Sequence, residues 1–122
     1  MTTKLPQKVT ETLLSVGEVA AELPCDLEGY REFVVVVRFQ TDRIFGFASQ
    51  YPYLADLPIA YRVMRFRVDS QVIENDRDCG NDDLVGLQSL HVPTIDDVQY
   101  ILRIWQVSPS ILRQPNETDV PI

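Results

Sequence analysis

Residues 30–39 read YREFVVVVRF. Four consecutive valines favour extended backbone, because a β-branched side chain loses little freedom on a pleated strand and fits its surface. In a strand, Phe33, Val35, Val37 and Phe39 share one face. Val34 and Val36 share the other, between Glu32 and Arg38. Apolar side chains on both faces predict an interior strand that is covered on both sides at its middle. A second cover, from a loop or from another subunit, is therefore expected.

The reading extends outward from that strand. Gln40-Thr41-Asp42 suits a turn, and RIFGFASQ (43–50) then reads as a second strand with Phe45 and Phe47 on one face. Residues 31–50 are thus predicted to form a β-hairpin. Residues 59–69, IAYRVMRFRVD, alternate well from Val63 to Val68 and read as strand, although Ile59, Val63 and Phe66 would also align on a helix. Gln71 to Ile73 read as an extension of it or as a short strand that pairs separately. LVGLQSLHV (84–92) reads as a further strand, weakened by Gly86.

Helices are expected at the two ends. Val9, Leu13, Val16, Ala20 and Leu23 draw one stripe over residues 6–23, with Pro6 at a first-turn position and Pro24 as the stop. Ser15-Val16-Gly17-Glu18 resembles a capping box, so this helix is expected to break near Gly17 into two. Pro93 to Asp97 announces another helix, with Thr94 as N-cap and two aspartates where the dipole favours anions. Its core stripe is Ile95, Val98, Leu102 and Trp105, widened by Ile101. SPSILR, from Ser108, reads as a short last helix, and 114–122 as a frayed polar tail.

These elements predict a single α+β domain over 1–122. Its sheet is mainly antiparallel, of roughly three to five strands, with the N-terminal and C-terminal helices on one face. The expected core includes Leu13, Val35, Val37, Phe39, Phe45, Val98, Leu102 and Trp105.

Composition narrows the functions. Apolar residues make up 45% of the 122, too many for a disordered chain. The formal net charge of −7 opposes a phosphate backbone and favours a basic partner. The two cysteines, Cys25 and Cys79, form no C-x-x-C pair and read as reduced thiols. With no leader-like run near the start and no apolar stretch of roughly 18 residues, the expected setting is cytoplasmic, away from membranes.

Residues 73–83, IENDRDCGNDD, carry five carboxylates and raise the question of a metal. An EF-hand loop needs oxygen ligands at positions 1, 3 and 5, glycine at 6 and glutamate at 12. From Asp76, position 5 is Gly80, position 6 is Asn81 and position 12 is Leu87. No metal site is expected. The stretch reads as a solvated acidic turn that could face a basic partner.

Catalytic signals are thin. His91 has no second histidine beside it and no nucleophile elbow nearby, and the five glycines are too scattered to cradle a phosphate. A pairing of Cys25 or Cys79 with His91 is invisible in sequence. No catalytic residue and no cofactor are expected. RIFGFA (43–48) partly resembles the RNP1 strand of RNA-recognition domains, but Ile44 replaces a glycine and Gln50 an aromatic.

The stronger lead is YPYLADLP (51–58), an apolar loop stiffened by Pro52 and Pro58. Tyr51, Tyr53, Leu54 and Leu57 resemble interface anchors, unless the loop folds back and buries them. Arg65 and Arg67, with Arg62, would pair with the acidic stretch of a second copy across a two-fold axis. The reading that ranks first is a non-catalytic protein-binding or regulatory module whose partner is another protein or a second copy of itself. The alternative is a small-molecule-binding domain or minor enzyme with a pocket between helices and sheet. RNA binding ranks third.

Overall fold

The computed structural model describes residues 5–43, 46–54, 56–75, 80 and 83–121, without the side chains of Phe47 and Ala48. Four strands form one antiparallel sheet in the order β1-β2-β3-β4: β1 (Glu18–Leu23), β2 (Tyr30–Gln40), β3 (Ile59–Asp69) and β4 (Leu84–Val92). Helix α1 (Gln7–Ser15) precedes them and α4 (Ile95–Ile104) follows. Two short helices, α2 (Phe47–Gln50) and α3 (Ser70–Glu74), lie in the connections. The α+β class and the antiparallel sheet agree with the sequence reading. Among the described residues no helix is long and apolar enough to cross a membrane.

The valine run is interior, as its two apolar faces require. Tyr30 to Gln40 pair with Asp69 to Ile59 along the whole of β3, while Leu23 to Glu18 pair with Glu32 to Val37 on the other side. Both rows of backbone groups on Val34 to Val37 are thereby satisfied, which a buried strand demands.

That demand explains two corrections. The helix expected over 6–23 stops at Ser15, and residues 18–23 are strand rather than a second helix. Val16 and Gly17 N–H groups close the helix on the Thr12 and Leu13 carbonyls. Gly17 then turns the chain at φ +89°, where glycine has no Cβ to clash. The second correction is the hairpin over 31–50. Residues 47–50 are a helical turn, and β2 pairs with β1 and β3 instead. With both edges of β2 occupied, the strand-like pattern of 43–50 has nothing to pair with. Phe45, expected in the core, lies outside the described residues. Gln71 to Ile73 are also helical, in α3, where the Asp69 carboxylate accepts the Gln71 N–H at 2.9 Å. The final helix is a single 3-10 turn, Pro109–Ile111.

Two apolar layers sandwich the sheet. On one face Val9 and Leu13 of α1 and Val98, Ile101 and Leu102 of α4 pack on Val19, Ala21, Val34, Val36, Tyr61 and Val63. On the other face Phe33, Val35, Met64, Phe66 and Val68 pack with Val72 of α3, and Ile73 and Val120 close over them. The second cover thus comes from α3 and the C-terminal segment of the same chain. That segment contacts β1 and β2: Arg113 and Ala20 of β1 exchange backbone hydrogen bonds of 2.9 and 2.8 Å, and Asp119 pairs with Arg31 of β2 at 2.8 Å. Val37, Phe39 and Trp105, expected in the core, are only partly buried, at its margins.

Strand β4 is one rim of the sheet. Its pairing with β3 runs from Tyr61↔Val92 to Val68↔Leu84 and skips one residue between Gln88 and Val85. This is a β-bulge, with Gly86 at φ +64° supplying the left-handed residue such a bulge uses. The glycine that weakened the strand in sequence is what lets it continue.

Candidate protein-contact surface

The loop after β2 docks on the sheet through its own backbone. Thr41 donates its hydroxyl to the Leu57 carbonyl and its N–H to the Pro58 carbonyl, so the two ends of the loop meet. Pro52–Leu54 is one turn of 3-10 helix. Leu54 is fully buried beside Ala60, with Phe39 and Tyr51 packed around the pair. Tyr51 lies over the His91 ring, centroids 4.2 Å apart, and Phe39 meets the same ring edge-on at 5.9 Å. Burial, and secondarily the charge of Arg62, hold the His91 imidazole below its ordinary pKa. The neutral ring is therefore favoured inside this aromatic cluster.

Tyr53 points the other way. It is 65% exposed, and its hydroxyl donates to the His91 carbonyl at 3.2 Å. The four loop residues singled out in sequence thus divide: Leu54 is core, Tyr51 half-buried, and Tyr53 and Leu57 face outward. A direct consequence can be measured. Leu54→Ser should lower the unfolding free energy by about 2–5 kcal/mol, the scale of an emptied leucine site. Tyr53→Ser should cost less, about 1 kcal/mol, since one exposed hydrogen bond and an edge-on contact with the Tyr51 ring at 6.2 Å are lost. Urea denaturation of the two single variants checks this, and equal losses would contradict the placement.

Arg65 and Arg67 do not join the loop. Odd-numbered residues of β3 face α1 and α4, so both guanidinium groups lie on the opposite side of the sheet. There they grip Glu32, a buried carboxylate on β2. Arg67 Nε donates to Oε1 at 2.8 Å, and Arg65 Nη2 and Nε donate to Oε2 at 2.8 and 3.2 Å. Arg65 also donates to the Trp105 carbonyl at 3.0 Å, and Arg67 to Asp26 at 3.3 Å. A cleft of about 540 Å³ opens here between the end of α4 and the sheet, lined by Glu32, Arg65, Arg67, Gln88, Ile104 and Trp105. It stands where a pocket between helix and sheet was expected, but its charges already face one another. The acidic stretch was the other half of the arginine pairing. Of it, Asp83 accepts the Gly80 N–H at 2.9 Å, while residues 76–79, 81 and 82 lie outside the described residues.

Sequence reasoning passed over a different surface. Ten large apolar side chains are exposed among the described residues, and five of them lie on or against β4. Val85, Leu87 and Leu90 are on the strand itself. Ile104 shares a cleft with Gly86 and Gln88, Tyr100 sits one turn before it on α4, and Tyr53 reaches the strand at His91. A signal was present: 84–92 holds no acid, no lysine or arginine and no proline, and Tyr100 and Ile104 fall off the α4 core stripe.

No protein-family model, curated protein or solved structure matches this chain.

Proposed function

We propose that this chain is a non-catalytic protein-binding module whose contact surface is the β4 rim of the sheet with Tyr53, Leu90, Tyr100 and Ile104 around it. The observation that carries the reading is that Val85, Leu87 and Leu90 are exposed on the edge strand, with Ile104 and Tyr53 against it. Scattered single apolar residues are ordinary on a protein surface, whereas a contiguous group marks a contact site. Tyrosine suits such a site because it is large, rigid and amphipathic. The loop 51–58 enters this reading through Tyr53, with Leu54 and Tyr51 as the footing that holds it in place. The two separate cysteines support a reducing, cytoplasmic setting.

The test is cross-linking in the native cell from a photo-reactive residue at position 90. A discrete adduct is expected there and none from position 14, where Leu14 is exposed on α1, away from the rim. Equal labelling from both positions, or none from position 90, would refute the reading.

A further inference from the structure

Strand β4 offers more than apolar side chains. It is a nine-residue strand at the end of the sheet order, and among the described residues no strand pairs with its outer side. In an antiparallel sheet every second residue of such a strand turns its N–H and C=O outward, ready for another strand. Proteins usually blunt such edges with charges, prolines or bulges. Here the only such device is the bulge at Gly86, and the strand is neutral from Leu84 to Val92. The opposite rim, β1, is already bridged by Arg113.

The two faces flanking this edge differ. On the helix-bearing face Leu90, paired with Val63, is 46% exposed, and Ile104 of α4, 58% exposed, lines a cleft with Gly86 and Gln88. On the other face Ser89 accepts a hydrogen bond from Arg62 at 2.9 Å, next to His91 and Tyr53. Side chains of an added strand would alternate between an apolar wall and a polar one.

Charge decides the occupant. Asp83 stands immediately before the strand, and Asp96 and Asp97 stand just after it. The Gly80 N–H donates to the Asp83 carboxylate and the Thr94 hydroxyl to that of Asp97, both at their oxygens. Of the nearby arginines, Arg65 and Arg67 are held by Glu32 and Asp26, and Arg62, bonded to the neutral Ser89 hydroxyl, sets one cation on β4 against the three carboxylates. An antiparallel second copy would bring the Asp83 end of one chain against the Asp96 and Asp97 end of the other, twice over. Between chains of net charge −7 that contact is repulsive.

We infer that the β4 edge accepts one extended segment of another protein as a fifth strand, with apolar side chains at alternate positions and lysine or arginine at both ends. The inference rests on the protein-binding reading above and specifies the partner's chemistry. Backbone hydrogen bonds would supply the generic part of the affinity. The apolar wall and the flanking carboxylates would supply the selectivity.

The experiment uses the full chain and two synthetic peptides. One has an alternating valine–threonine centre with paired lysines at each end, and the other has glutamates in their place. Fluorescence anisotropy should show micromolar binding of the lysine peptide, on the order of 1–100 μM, and at least about tenfold weaker binding of the glutamate peptide. The difference should shrink as salt approaches about 0.15 M, where screening acts over roughly 8 Å. Amide hydrogen exchange should slow within 87–92 when the lysine peptide is bound. Leu90→Lys, at an exposed position, should weaken binding by about tenfold or more, and Asp83→Asn with Asp96→Asn should reduce the salt dependence. Equal binding of both peptides, or exchange unchanged in β4, overturns the inference. Sedimentation showing a wild-type dimer that Leu90→Lys dissolves would place a second copy on the edge and also overturn it. If neither peptide binds while cross-linking from position 90 stays specific, the peptide-strand inference fails alone. Loss of both removes the protein-binding reading as well.

Discussion

Leu102→Ala should lower the unfolding free energy by about 2–5 kcal/mol. Leu102 has no exposed surface and sits in the middle of the α4 stripe, in one cluster with Leu13 of α1 and Val34, Val36 and Val63 of the sheet. Truncation removes the transfer free energy of the lost methyl groups and leaves a cavity. The cavity cannot close easily, because its walls belong to three different elements. The helix itself should survive, since alanine is the best helix former and the Thr94 cap is untouched. Urea denaturation is therefore expected to show a lower midpoint with an unchanged slope. Tyr100→Ala, two residues earlier but on the solvent side of the same helix, is the control and should stay within about 0.5 kcal/mol. A similar result for both variants would mean that α4 does not dock through this stripe.

Glu32→Ala should cost about 1–3 kcal/mol. The Glu32 side chain is 6% exposed, and it accepts hydrogen bonds through both carboxylate oxygens. Breaking a fully buried ion pair costs about 3–5 kcal/mol, because the abandoned partner stays desolvated. The loss is smaller at Glu32 because both arginines keep access to water, so neither is stranded when the carboxylate goes. What is lost is chiefly the order imposed on Arg65. Its remaining bond to the Trp105 carbonyl ties β3 to the end of α4. Glu32→Gln keeps the shape and an acceptor oxygen, so it should cost less than Glu32→Ala. Denaturation of both variants measures the difference. Losses below about 0.5 kcal/mol for both, the scale of surface changes, would show that the triad orders nothing.

How far the amino-acid sequence carries the fold depends on the range of the forces involved. The interior placement of 30–39 follows from side chains on that segment alone. Apolar residues on both faces leave no orientation in which one face can meet water. Strands β3 and β4 and helix α4 are likewise legible from alternation, cap chemistry and the spacing of Val98, Leu102 and Trp105. Residues 18–23 are different. Val16, Ala20 and Leu23 continue a helical spacing, and only the unpaired edge of β2 makes those residues a strand. The same neighbour effect acts in reverse on 47–50, which are helical while β3 fills the other edge of β2.

The candidate site follows the same division. Local chemistry marked 51–58 as a docked apolar loop and left 84–92 as an uncharged strand. Which tyrosine faces water depends on where Ala60 and His91 stand once β3 and β4 have paired. In sequence Arg65 and Arg67 pair with the acidic stretch of a second copy, and only the register of β2 against β3 brings Glu32 between them instead. Composition alone made β4 neutral and apolar. Its position at the rim, with no strand on its outer side among the described residues, was decided by strand order, a property of the assembled sheet that no single segment contains.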